Sequence, residues 1–507
     1  MDMASPDRSR SMEDFLPKDL LGEIFSHLVD ARDLSRVAMV NSSFRKQCRY
    51  AENVRFNCQL KNILDKSKRD HGEAQLRTPF KQTVVTMMKT FECMTTLRLE
   101  IEEDVQAKRF KEDEVDKTSL WLSEGQFVRS WLPGVSETLT SLTIIDYGHQ
   151  AIYHPSPLLQ LVSQNCKQME RMELRNMFLD LKGCSTLARM KLLKLKCVKL
   201  MDNGLQEINE VMPMLEHIVL ELVVGLRQAK LKSDMVKILC LTCITRVSVI
   251  KLESNSLKGL QLKVNNPDEV RVRAPNLEIL TIRMARRPES ILEFNRMPKL
   301  KELLLGANEM SVLEKVSTRN KSLQEVYLDI PCMLYDEHGS WRGVKRDSLP
   351  ASASIWKSLK NCCRELNSLS VGPGFWFGLE ERIRERIGEM QHPADEDSSA
   401  MEVEGNRQQL VQVAVKEQVT QPWSSMKRLT LHLVIQEAEL SFGLLSTLLQ
   451  GLPYLEKLDL YVHKDSKVEI QTLRSRLWEI FPRLSVTCES WSKHLKFDGF
   501  TQLETHK

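Results

Sequence analysis

No stretch of the 507 residues approaches the uninterrupted apolar length needed to cross a bilayer, and the opening MDMASPDRSRS lacks the apolar core of a secretory leader. The expectation is a soluble chain of the nucleus, the cytoplasm or both, without a membrane partner. A charge excess is missing too: 72 Lys and Arg against 68 Asp and Glu leave +4, too little at this length to point to nucleic acid. Twelve cysteines do not reach the density of a small secreted domain, so reduced core thiols are expected.

Catalytic signatures are equally scarce. There is no GxSxG, HExxH or P-loop, and the eleven His are scattered without metal-ligand spacing. Cys240-Leu-Thr-Cys243 has CxxC spacing, but a structural zinc needs four ligands and no second pair stands at a suitable distance. Gly372, Gly374 and Gly378 depart from GxGxxG, and Trp376 and Phe377 would crowd a pyrophosphate, so a long turn is expected there. The chain reads as a protein without catalytic residues, metal or cofactor.

What is present is periodicity. A chain this long divides into domains or a repeat array, and from Met94 one pattern dominates: an apolar residue, two variable, an apolar, one variable, an apolar. It is read thirteen times, from Met94-Leu97-Leu99 to Leu455-Leu458-Leu460, each ending in the alternation of a short half-buried strand. Most steps are about 20 to 30 residues, the period of leucine-rich repeats. MPMLE, APNLE, MPKLK and LPYLE each set a Pro two residues before the first repeat Leu, where a preceding element must stop. Ile244-Val247-Val249 stands too close to Leu257-Leu260-Leu262 for this period, and it is read, with Val270 to Val272, as extra hairpin strands.

Ahead of the array, Leu16, Leu20, Leu21, Ile24, Phe25 and Leu28 fall on one helical face, with Pro17 in the first turn. Asp33 is a candidate cap for a second short helix with Leu34, Val37 and Val40, and Ser42 or Ser43 for a third with Phe44. Three such helices cannot bury all these groups among themselves, so the surplus packs on the rest of the chain or on a partner. The plain alternative is a helical cap on a larger core.

Leu16-Pro17, Leu21, Ile24-Phe25, Leu28, Asp33-Leu34, Val37-Ala38, Val40 and Phe44 follow the order and spacing of the F-box, and this stretch resembles the plant hormone-receptor variety. The repeats are similar to those of plant F-box proteins with leucine-rich repeats. The resemblance implies an α/β repeat fold: a three-helix F-box, then a leucine-rich-repeat solenoid of horseshoe form with two long loop insertions and an irregular helical convex side. It also implies that Leu16, Pro17, Leu20, Leu21, Ile24, Phe25, Leu28, Leu34, Val40 and Phe44 meet a Skp-type adaptor, and through it cullin and RING subunits. Phe44 stands where that family usually has Trp.

The expected boundaries are a disordered tail over 1–11, the F-box over 12–50, a helical connector over 51–90, repeats over 91–490 and a tail over 491–507. Insertions fall at about 331–362 and 374–422, the acidic stretch 392–409 being disordered. Side chains flanking the second and third apolar residues of each repeat project onto the concave face, where Arg171, Arg175, Lys194 and Lys196, followed by Lys263 and Arg283, outline a surface for an acidic substrate segment. Tyr335 and Trp341 in the first insertion, and Phe375, Trp376 and Phe377 at the start of the second, are expected to be exposed anchors for the same substrate. The reading is therefore the substrate-recognition subunit of a Skp-cullin-F-box ubiquitin ligase acting on an unknown protein. A hormone-type small-molecule co-receptor and a repeat scaffold outside any ligase are the alternatives.

Overall fold

The computed structural model describes residues 18–59, 79–108, 120–202, 204–285, 290–306, 310–317, 322–330, 333–335, 341–344, 359, 363, 365–390, 423–466 and 468–491. The chain divides into two compact units, Met1–Leu252 and Glu253–Lys507.

The first unit begins with helices α1 (Lys18–Ser26), α2 (Ala31–Ala38) and α3 (Ser42–Cys48). Their caps lie just upstream of the expected ones. The Asp30 carboxylate accepts from the Arg32 N–H at 2.8 Å and the Asn41 side chain from the Phe44 N–H at 2.7 Å, both from extended backbone. Asp33 instead sits in the first turn of α2, where its charge favours the positive end of the helix dipole.

Four residues after α3 comes a strand. β1 (Asn53–Cys58) occupies the start of the segment expected to be a helical connector, because Ala51, Val54 and Phe56 repeat the apolar spacing of the later units and are all buried. A helix over Pro79–Met88 follows. Six further inner strands are β2 (Thr96–Ile101), β3 (Ser141–Ile145), β4 (Arg171–Arg175), β5 (Leu192–Lys196), β6 (His217–Val223) and β7 (Ile238–Arg246). Successive strands pair in parallel, and one register row runs Val54, Leu97, Leu142, Met172, Leu193, Ile218, Leu239. Every member of that row is buried, and each such side chain removed from water is worth roughly 1.5–3 kcal/mol.

The expected repeat Ile244-Val247-Val249 is corrected by β7. The unit in place is Val236-Leu239-Leu241, fully buried, while Ile244 is exposed and Val249 opens an outer strand, Val249–Glu253. Apolar residues alternate throughout this stretch, so pattern alone admits two frames; the frame used sets Leu239 a normal period before Leu260.

In the second unit the inner strands are β8 (Gly259–Asn265), β9 (Ile279–Ala285), β10 (Glu302–Gly306), β11 (Glu325–Asp329), β12 (Ser368–Val371), β13 (Arg428–Leu433), β14 (Lys457–His463) and β15 (Ser485–Trp491). They too are parallel, with Leu260, Leu280, Leu303, Val326, Leu369, Leu429, Leu458 and Val486 in one row. Helices Pro373–Met390, Ala438–Gln450 and Ile470–Ile480 lie between the later strands.

The outer side carries strands as well as helices, which the expectation of an irregular helical side missed. Glu269–Arg273, holding Val270 to Val272, pairs in parallel with Ile291–Phe294 and forms no hairpin. An inner strand intervenes between the two, so the connection is a crossover, and crossovers produce parallel neighbours. The expected disorder over 392–409 and the tail over 1–11 lie outside the described residues, as does the tail expected over 491–507 apart from Trp491, which closes β15.

Candidate adaptor and substrate surfaces

In the helical module the apolar residues divide between inside and outside. Phe25 is buried and meets Phe44 edge-on at 5.2 Å, and Leu34 is buried with Ala31 and Cys48, whose Sγ lies 3.5 Å from the Leu34 carbonyl. Phe25 and Leu34 are therefore core of the module, which corrects their expected role as adaptor contacts: the three helices are too short to close without them. Leu20, Ile24 (48% exposed) and Val40 (66% exposed) face outward, joined by Met39, which the sequence reading missed although it precedes Val40 at the end of α2. Leu28 and Phe44 are half-buried. Leu21 belongs to α1, but its side chain, like the whole of Leu16 and Pro17, lies outside the described residues.

The module is seated on the sheet with almost no intervening chain. The Arg55 N–H of β1 donates to the Val29 carbonyl at 2.7 Å, Arg32 Nη1 donates to Gln59 Oε1 at 3.1 Å, and the Glu92 N–H donates to the Arg49 carbonyl at 2.8 Å. The first of these occupies part of the otherwise open edge of β1.

On the inner face of the first unit, cations and carboxylates are interleaved. Arg98 Nε lies 2.5 Å from Glu100 Oε2, and Arg55 binds the other oxygen of the same carboxylate, with its Nε at 2.6 Å. Lys194 stands 3.9 Å from Glu173, Lys196 3.3 Å from Glu221, and Arg175 3.9 Å from Glu103. Three of the four cations expected to await an acidic substrate thus already face a carboxylate; Arg171 has no ion-pair partner among the described residues. Glu221 was overlooked, yet its position was legible: it follows Leu220 as Lys196 follows Leu195, and the register sets them side by side.

In the second unit Lys263 and Arg283 are register partners on β8 and β9. Arg283 extends past Gly306 of β10 to Asp329 of β11 at 3.1 Å. Around them Gln261, Thr281, Leu304 and Ser370 are buried, so this face is not the open charged surface that was expected.

The aromatic loops are corrected more sharply. Phe375, Trp376 and Phe377 are buried and form the first turn of helix Pro373–Met390, with Trp376 Nε1 donating to Ser441 Oγ at 3.1 Å. Gly372 makes this possible: a Cβ there would lie 2.7 Å from the Ile330 nitrogen, so only glycine lets the helix start this close to the chain beyond β11. Large aromatics beside glycines are thus interior side chains here, and they anchor no substrate. One turn on, Glu380 is buried, and burial pushes its pKa up to about 8 although the Gln436 backbone N–H and then the Arg384 guanidinium oppose the shift. Tyr335 and Trp341 are backbone register partners in the antiparallel pair Met333–Tyr335 and Trp341–Val344, and their side chains lie outside the described residues. Cys240 and Cys243 are buried on β7, and burial holds the Cys243 thiol up at about 12.

Parallel inner strands at a leucine-rich period, begun by a compact three-helix module, define a repeat protein with a helical docking domain at its head. The F-box-like family matches residues 14–52, a span that holds the three helices and ends just before β1. An F-box/LRR-repeat protein of Arabidopsis thaliana is 25% identical over 377 residues, 74% of this chain and 80% of that protein. The chain thus carries an F-box-like segment and is similar over most of its length to a plant F-box/leucine-rich-repeat protein.

Proposed function

We propose that this chain is the substrate-recognition subunit of a Skp-cullin-F-box ubiquitin ligase, acting in the nucleus or cytoplasm. The helical module binds a Skp-type adaptor, and with it cullin and RING subunits, while the inner strand face holds a target protein. The observation that carries this reading is the exposure of Leu20, Ile24 and Val40 on helices whose opposite sides are already closed by Phe25, Leu34 and Cys48. Apolar area of this kind, continuous with a polar rim, is what a protein partner covers. The chain supplies no acid, base or nucleophile in this role. It raises the effective concentration of a target lysine beside a charged ubiquitin-conjugating enzyme.

The small-molecule co-receptor alternative draws on two aromatic loops, and the buried positions of Phe375, Trp376 and Phe377 take the second of them away from it. The test is Ile24→Asp combined with Val40→Asp in the full chain. Co-purification with a Skp-type adaptor is expected to disappear while the melting temperature stays within about 3 °C, since both side chains are exposed. Undiminished adaptor binding overturns the reading.

A further inference from the structure

At one level of the first unit, just past the ends of β4 and β5 and one residue before the end of β6, Asn176, Cys197 and Leu222 take left-handed backbone with φ of 62°, 52° and 55°. Asn tolerates that conformation because its side chain hydrogen-bonds locally; for Leu it is strained, because Cβ crowds the following carbonyl oxygen. Leu222 is moreover 41% exposed, so its side chain does not offset the strain by full burial. Its neighbour Val223 is buried and in register with buried Cys243. Leu222 just before that pair and Ile244 just after it therefore both turn away from the core, and Ile244 is 56% exposed. A single exposed aliphatic residue is ordinary on a protein surface. A strained one beside a second on the adjoining strand is a costly arrangement for the free chain, and such outliers concentrate at functional sites.

Charge lies next to this apolar pair. Glu221 is in register with Lys196, and Lys196 with Arg175. Against the four cations Arg171, Arg175, Lys194 and Lys196 of β4 and β5 stand the carboxylates Glu173, Glu221 and Glu103, which leaves one positive charge in surplus, at Arg171. Two of the ion pairs are long, at 3.9 Å, and Arg171 is exposed.

We propose that Leu222 and Ile244 anchor, and the cations of β4 and β5 track, an extended acidic segment of the target protein that carries one aliphatic side chain. The assignment of this segment to a target rests on the substrate-receptor reading above; the site itself does not. Neighbouring strands are about 4.8 Å apart and an extended peptide advances about 3.3 Å per residue. Crossing from β6 to β5 and β4 therefore places the acidic residues about two and three positions from the aliphatic one.

The probe is a fluorescein-labelled decapeptide of Gly and Ser with one Leu and with Asp or Glu two and three positions from it. Two control peptides replace the Leu by Ser or the acids by Lys, and binding to the full chain is read by fluorescence anisotropy. The acidic Leu peptide is expected to bind at least tenfold more tightly than either control. Leu222→Asn relieves the strained turn, as Asn176 already does at the same point of its repeat. It should keep or raise the melting temperature and weaken the acidic Leu peptide about tenfold, leaving the Ser control unchanged. Arg171→Glu should weaken both acidic peptides. Equal binding of all three peptides, or unchanged binding by Leu222→Asn, overturns the proposal. Adaptor co-purification is measured on the same preparations: if the wild-type chain captures no adaptor while the peptide contrast persists, the ligase reading falls and the docking site stands.

Discussion

Strands β1 to β5 of the first unit and β8 to β12 of the second share one backbone plan, and their inner faces are occupied in opposite ways. In the first, the row between the two buried positions reads Arg55, Arg98, Thr143, Glu173 and Lys194 from β1 to β5. In the second, the equivalent row reads Gln261, Thr281, Leu304, Tyr327 and Ser370 from β8 to β12. The charged row is half-exposed; in the uncharged one all but Tyr327 are buried. A leucine-rich repeat prescribes the side chains that enter the core and leaves the alternate row free. That free row decides whether a stretch of sheet is a contact surface or more interior.

The contrast is broken most strongly at Trp376. If the second unit treats its aromatics as core, Trp376→Ala leaves a large cavity and an unmatched Ser441 hydroxyl, and should cost about 3–5 kcal/mol in denaturant unfolding. A loss below about 1 kcal/mol would mean that the side chain is a surface group.

Glu380 sharpens the contrast through pH. Its folded pKa of about 8 lies above the ordinary 4.5, so between these values the folded state keeps a proton that the unfolded chain has released. Stability contributed at this site is therefore highest below pH 4.5 and declines as pH rises toward 8, at up to about 1.4 kcal/mol per pH unit. Glu380→Gln removes that decline. Thermal unfolding should show the variant gaining little at pH 5 and clearly more at pH 8, and an equal shift at both would place the carboxyl in water.

The smallest effect belongs to the first unit. Lys196 and Glu221 are both partly exposed across their 3.3 Å gap, so a double-mutant cycle to Ala should give a coupling of about 0.2–1 kcal/mol that fades in 0.5 M salt. A coupling above about 2 kcal/mol would show this pair to be structural, and the charged face would then be less free to exchange partners.

The same division explains what the sequence made legible. Leu97, Leu280 and Leu458 announce their strands because a core position must be apolar whatever the rest of the repeat contains, and the F-box pattern is likewise written in residues that must be buried or docked. β1 was hidden because Ala51-Val54-Phe56 has no Leu, and β7 because its alternation admits two frames. The exposure of Phe375, Trp376 and Phe377 was misjudged for another reason. Glycine beside aromatics marks a flexible loop or a close approach equally well, and only the 2.7 Å gap at Gly372 distinguishes them. Ion pairs such as Lys196 with Glu221 depend on register, which emerges once the strands are aligned.

The four residues between α3 and β1, with the hydrogen bond from Arg55 to Val29, have a further consequence. On the proposed reading, a target held on the first unit would be mounted on the adaptor and not tethered to it by a swinging linker. In a ligase, the lysines within range of the conjugating enzyme would then be chosen by the angle at which the target is presented. Lengthening that junction with a few glycines would leave the grip on both partners intact and blur which lysines are marked.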